Sequence, residues 1–195
     1  MDIVITKFDL DKNGYYIPTD DLEANELRIE PNLGTVRFRG SIKAGGNIVA
    51  GSDIYVRGDI HAGGSIDTEG HVTSEGNISS GESILVGGHL HSYGDIHAWG
   101  DVFAGGRLWA NGNVLSVGNI NANKKMKAGG SILSGGKIIS NRSIIAGNSI
   151  KARRSIKSGR KIKAHYSVEV DPGFVPDPSS IKGKSVVPAT ECHQP

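Results

Sequence analysis

The sequence predicts an all-β fold, a single-domain parallel β-helix (β-solenoid) with three six-residue strands per 18-residue coil and about 7 coils. Three observations carry this prediction. An aliphatic residue or Met stands at every sixth position from Val36 to Val168, through Ile42, Ile48, Ile54 and onward without a break. Two residues later comes Ala, Ser, Thr or Val in 22 of the 23 repeats, Phe38 being the exception. Two residues earlier comes Gly in 15 of the 23, as at Gly40, Gly46, Gly58 and Gly64. With 37% of the chain hydrophobic, chance gives such a run about once in ten billion trials.

The first element is residues 1–35, which fall outside the six-residue period. They carry Ile3-Val4-Ile5, Tyr15-Tyr16-Ile17 and the stretch from Leu22 to Ile29, which read as short strands or a hairpin. An N-terminal cap is expected here, because the end of a solenoid exposes core and unpaired strand edge.

The second element is residues 36–170, the solenoid. Its unit reads Gly-x-Ile-x-Ala-x, as in Gly40-Ser41-Ile42-Lys43-Ala44-Gly45. Residues two apart share one face of an extended strand, so the large and the small residue point inward and their neighbours outward. Glycine is expected at the corners for a positive φ and for close backbone approach. Six residues are too few for a helical crossover, so the strands must wind as coils, making a rod of roughly 35 Å at about 4.8 Å per coil. Ile at 15 of the 23 core positions supplies branched side chains suited to strands.

The third element, residues 171–195, holds Pro172, Pro176, Pro178, Pro188 and Pro195 and no apolar period. It reads as an extended tail that lies along the rod, reaches a neighbouring subunit or stays disordered.

Composition excludes several classes. The single cysteine, Cys192, rules out a disulfide-stapled scaffold. No apolar run approaches the roughly 18 residues of a membrane span, and the N-terminus shows no basic segment followed by an apolar one. The expectation is a cytoplasmic protein, or a virion-associated one if phage-encoded, with no membrane contact and no cofactor.

Runs such as Gly40-Ser41-Ile42-Lys43-Ala44-Gly45-Gly46-Asn47-Ile48 and Gly129-Gly130-Ser131-Ile132-Leu133-Ser134-Gly135-Gly136 resemble the repeats of the bactofilins, polymer-forming bacterial cytoskeletal proteins, and of related bacterial and phage hexapeptide-type β-helices. The resemblance covers about two thirds of the chain. It implies a three-sided helix, right-handed in bactofilins, that assembles end to end without a nucleotide.

Outward positions carry whatever chemistry the chain has. Stacking the coils by 18 residues builds one face on Val36, Ile54, Val72, Leu90, Leu108, Met126, Ile144 and Ile162. Just before these core positions, from Ile54 onward, stand Asp53, His71, His89, Arg107, Lys125, Ser143 and Lys161, and just after all eight Arg37, Tyr55, Thr73, His91, Trp109, Lys127, Ile145 and Lys163. With the corner residues Lys124, Arg142 and Arg160, the far end of this face gathers seven basic side chains: Lys124, Lys125, Lys127, Arg142, Arg160, Lys161 and Lys163. Residues 120–166 hold 12 Lys or Arg and no acid, whereas residues 50–106 hold eight acids against Arg57 alone. These seven cations and Trp109 are the candidate partner-binding residues, the partner being a protein, another copy in a homo-oligomer, or a nucleic acid. The plainer reading is a solvated face whose charge resists aggregation.

Two further groupings have a functional and a plain reading. His71, His89 and His91 fall close enough to share a transition metal, or form an exposed imidazole ladder. Asp9, Asp11, Asn13 and Asp20 match the spacing of a calcium loop, but with strand-like flanks and Pro18 they also read as a polar turn. Trp99, Tyr93, Trp109 and Phe103 point outward, and on a third face Val49, Leu85, Phe103 and Ile139, interrupted by Asp67 and Asn121, ask for a cover from the tail or a second subunit.

The function expected is therefore a non-enzymatic structural or interaction solenoid, a self-assembling scaffold or a phage-type accessory protein docking through its basic half. The alternatives are a nucleic-acid or polyanion-binding protein and an acyltransferase of the hexapeptide-repeat kind. The acyltransferases place the small inward residue differently and extrude a loop from the solenoid, and no loop is visible here. An ice-binding surface would need ranks of Thr, and Thr68 and Thr73 are the only ones inside the repeat.

Overall fold

Branched aliphatics every sixth residue favour short strands, and the polar, glycine-rich triplets between them end each strand after three or four residues. The computed structural model describes residues 1–18 and 20–171, together with the backbone of the strands Ile181–Lys182 and Ser185–Val187. It is a three-sided parallel β-solenoid of about 8 turns. Face one is a nine-stranded sheet running from Thr35–Phe38 to Ser185–Val187. Face two is nine-stranded, from Leu22–Ala24 to Val168–Val170, and face three is ten-stranded, from Ile3–Ile5 to Ile181–Lys182.

Register follows the 18-residue step throughout the repeat. On face one Val36 pairs with Ile54, Ile54 with Val72, Leu90 with Leu108, Leu108 with Met126 and Ile144 with Ile162. All 22 periodic residues from Val36 to Ile162 are buried, while Val168 at the end of the series is half-buried. The small inward position has a second use. The buried hydroxyls of Ser74, Ser80, Ser92, Ser116 and Ser134 donate at 2.7 Å to the carbonyls of Gly58, Gly64, Gly76, Gly100 and Gly118 in the coil below, so these five enter the core satisfied, whereas the Thr68 hydroxyl at the same inward position has no partner among the described residues.

Two features add to the sequence picture. The N-terminal strands run parallel to the rest and join the same sheets, rather than folding back as a hairpin. Ile3 pairs with Leu27, Leu22 with Ile42 and Leu27 with Ile48, offsets of 24, 20 and 21 residues where the repeat has 18. Residues 6–17 then turn over the edge of face one, where Tyr16 N–H donates to the Arg37 carbonyl, Arg37 N–H donates to Gly14, and Leu10 and Tyr16 pack on the core. At the other end Ile181–Lys182 and Ser185–Val187 lengthen faces three and one. These added strands raise the count from the about 7 coils of the repeat to about 8 turns. The remainder of the predicted tail, and with it any cover over face three, lies outside the described residues.

Glycine is used differently from the expectation. Among the described glycines only Gly14 and Gly34 have positive φ; at nearly all the others the reason is space. A Cβ on Gly112 would overlap Asp95 Oδ1 and lie 3.0 Å from its Cγ.

Candidate functional site: a cationic groove on one corner

The corners explain which outward residues are structural. The residue just before a strand turns its side chain along the rod and accepts the backbone N–H of the residue 18 positions later. Before face two this gives a continuous series in which Asp59 accepts from Asn77 at 2.6 Å, Asn77 from Asp95 at 2.9 Å, Asp95 from Asn113 at 2.5 Å and Asn113 from Ser131 at 2.8 Å. A similar series before face three runs through Asp101, Asn119 and Lys137 N–H. The glycine 17 positions after each acceptor leaves room for it, as Gly76, Gly94, Gly112 and Gly130 do. Four of the eight acids of the acidic half, Asp53, Asp59, Asp95 and Asp101, are thus acceptors that bond one coil to the next.

His71 and His89 belong to the same series on the corner between faces three and one. Asp53 accepts His71 N–H, His71 Nδ1 accepts His89 N–H at 2.7 Å, and His89 Nδ1 accepts Arg107 N–H at 2.8 Å. Their rings stack at 4.7 Å and 11°. Both Nδ1 atoms therefore have a backbone donor, which fixes the neutral tautomer with its proton on Nε2. Burial first, and then the repulsion that an imidazolium here would meet from a protonated His71, from Lys124 and from Arg107, hold His89 below the ordinary imidazole range. His91 lies apart from this pair, its ring stacked on Trp109 at 5.0 Å and 22° and its pKa lowered by burial. Among the described residues no three His, Cys, Asp or Glu side chains converge as a metal site would require.

The calcium-like spacing folds as a polar turn. Asp9 accepts the Thr6 N–H and hydroxyl, and Asp11 Oδ1 accepts the N–H groups of Asn13 and Tyr15. The Tyr15 N–H leads the groups that lower the Asp11 pKa, with Asn13, Arg39 and Lys12 assisting.

At Arg107 the acceptor series on the third corner stops, since a guanidinium has no acceptor to offer. From there the corner changes character. Lys124 stands where the glycine would be, followed 18 and 36 residues on by Arg142 and Arg160, while Arg107 is followed by Lys125, Ser143 and Lys161. These two columns, with Trp109 and Lys127 beside them on face one, enclose a groove of about 320 Å³ lined by Arg107, Trp109, Lys124, Lys125, Lys127, Ser143, Arg142 and Arg160. Six of these are cations and none is an acid. The described ion pairs, Arg39–Asp11, Lys43–Glu23 and Lys151–Glu169, involve no residue of the groove. Lys127 Nζ sits 4.8 Å from the Trp109 ring centre, so Trp109 is held between Lys127 and His91.

Six of the eight predicted partner-binding residues thus line one groove. Lys161 and Lys163 lie on the same rung as Arg160, on face one, paired in register with Ser185 and Val187, and stand outside the lining. Arg107 is the addition. Its position in the outward series was visible in the sequence, and its place at the point where the acceptors give way to cations marks it as the first rung of the groove.

A second, more apolar groove of about 840 Å³ lies on face two, lined among others by Leu115, Val117, Leu133, Val168 and Val170, with the Lys151–Glu169 pair at its edge. The outward column on face three is in the expected order, Val49, Asp67, Leu85, Phe103, Asn121 and Ile139. No helix among the described residues is long and apolar enough to cross a membrane. Comparison with protein-family models, curated proteins and solved structures finds no match for this chain.

Proposed function

We propose that the chain is a non-enzymatic interaction solenoid, a rigid scaffold that docks an acidic partner through the cationic corner of its C-terminal half. One observation carries the reading: six cations line a single groove with no acid among them, on a lattice of hydrogen-bonded coils. Fixed charges on a rigid support raise a local field without an ordering cost on binding, and so steer an oppositely charged surface. The two halves of the rod differ in the work their charges do. Asp53, Asp59, Asp95 and Asp101 bond one coil to the next, whereas the groove's cations stand outside every described ion pair.

Unbroken register from Val36 to Val168 supports a scaffold, since no coil gives up its pairing to extrude a loop. The bactofilin-like repeat fits the same class, with another copy's acidic half as one partner that such a surface suits.

The test is reversal of Lys125, Arg142 and Lys161 to Glu, which leaves every inward residue in place. Sedimentation and electron microscopy at low and high salt, alone and with poly-glutamate as the acidic probe, should show association in the wild type that salt weakens and the triple variant lacks. Identical behaviour of wild type and variant in every arm would leave the charge as a solvated face.

A further inference from the structure

The chemistry of the groove points beyond acidity in general. We infer that the groove formed by Arg107, Lys124, Lys125, Lys127, Arg142 and Arg160 is a binding site for contiguous phosphates, an oligophosphate held by its charge rather than by a base. This rests on the reading of the corner as a docking surface and names the ligand class it takes.

Charge density is the first argument. Coils repeat about every 4.8 Å along the rod, and each of these rungs presents one to three groove cations: Arg107 on the first, Lys124, Lys125 and Lys127 on the second, Arg142 on the third and Arg160 on the fourth. Six positive charges around about 320 Å³ ask for several negative charges in a small volume. An extended acidic peptide offers a carboxylate to one side only every second residue, roughly 6.8 Å apart, each with a single charge. A terminal phosphate carries about −1.5 to −2 with three acceptor oxygens, and linked phosphates put several such charges within one or two rungs. Guanidinium groups at Arg107, Arg142 and Arg160 add planar forks that match phosphate oxygens in pairs.

The aromatic wall is the second argument, and it bears on what the ligand is not held by. Nucleic-acid sites that bind single strands present open aromatic faces on which bases stack. Trp109, 39% exposed, already has the His91 ring against it at 5.0 Å and Lys127 Nζ 4.8 Å from its ring centre, so a base would have to displace the lysine to stack on it. The indole acts as a spacer that holds Lys127 over the groove. Ser143, two coils beyond Arg107 in the same column, is the remaining polar lining residue and offers a hydroxyl donor.

The experiment is calorimetric titration of the full chain with sodium tripolyphosphate, with poly-glutamate and with a single-stranded oligothymidylate, compared at equal total charge and at about 50 and 200 mM salt. The expected result is saturable tripolyphosphate binding at one site per chain, weakened at least tenfold by Arg142→Glu and by Lys125→Glu and unchanged by Lys43→Glu at the opposite end of the rod. Circular dichroism of each variant establishes that it is folded. If the oligothymidylate competes with tripolyphosphate, the phosphates come from a nucleic-acid backbone; if it does not bind, they come from a free oligophosphate, and either result supports the site. Poly-glutamate binding as tightly as tripolyphosphate would overturn the phosphate assignment while leaving the acidic-partner reading intact. Tripolyphosphate binding that is absent, or indifferent to both groove variants, overturns it as well, and failure of poly-glutamate and the oligothymidylate alongside removes the docking surface itself.

Discussion

Replacing Gly112 by Ala tests the corner architecture most directly. The new Cβ would overlap Asp95 Oδ1, lie 3.0 Å from Asp95 Cγ and meet the Gly94 carbonyl oxygen at 3.1 Å, so the carboxylate must leave its place. It then loses the hydrogen bonds it accepts from Asn113 N–H at 2.5 Å and Asn113 Nδ2 at 3.2 Å. Hydrogen bonds to a charged group contribute about 1.5–3 kcal/mol each, less where water can substitute, so on this partly exposed corner Gly112→Ala should cost about 2–3 kcal/mol. Asp95→Ala removes the same two bonds and should cost about as much. In the double variant the carboxylate is gone and only the Gly94 carbonyl oxygen at 3.1 Å still presses on the new methyl, so its cost should stay near about 2–3 kcal/mol rather than the roughly doubled figure of independent sites. Equilibrium unfolding in denaturant, followed by circular dichroism, gives the three differences. Additive costs would refute the idea that the glycine serves the acceptor of the coil below.

The remaining predictions concern the core and the histidine corner. Ile96 is fully buried at the middle of the stack, so Ile96→Asp places an unpaired carboxylate there at a cost of several kcal/mol; a variant melting at the wild-type temperature would contradict the register. His89 can accept the Arg107 N–H only while neutral, and its pKa is held below the ordinary 6.5 chiefly by burial. The unfolded chain therefore takes up the proton first. The contribution is complete above about pH 6.5 and is lost as the pH falls through the depressed folded value. His89→Asn keeps an acceptor of the kind that Asn77 and Asn113 supply, and should lessen the fall in melting temperature between pH 7 and pH 5; an identical fall in both proteins would count against the assignment.

Most of the face-by-face geometry was legible because one number, 18, governs it. From that step alone Trp109 falls beside Lys127 and His91, and Lys124, Arg142 and Arg160 fall in one column, as the pairing and the groove lining have it. The first 35 residues were less legible, since their offsets of 24, 20 and 21 leave no common period to read. The role of the residue before each strand was encoded but went unread: Asp59, Asn77, Asp95 and Asn113 are each followed 17 positions later by glycine, while Arg107, Lys125 and Lys137 are followed by Lys124, Arg142 and Arg154. Seeing that rule requires knowing that the side chain turns along the rod toward the next coil rather than out to water. For the same reason His71 and His89 looked like possible ligands, when their Nδ1 atoms are acceptors within the frame.

The corner bonds also bear on how the rod responds to force. Hydrogen bonds between coils lie along the axis, so a pull on the two ends loads each interface in series, and the weakest one opens first. Each coil that peels away exchanges about 4.8 Å of rod for 18 residues of chain that extend to roughly 60 Å. The acceptor series reinforces interfaces from Asp53 to Lys137, whereas on the third corner the positions beyond Arg107 have cations in their place. The molecule is thus graded along its length, with a stiff segment near the N-terminus and a segment that yields earlier where the positive charge is gathered. An anion bridging the rungs from Arg107 to Arg160 would act there as a removable brace.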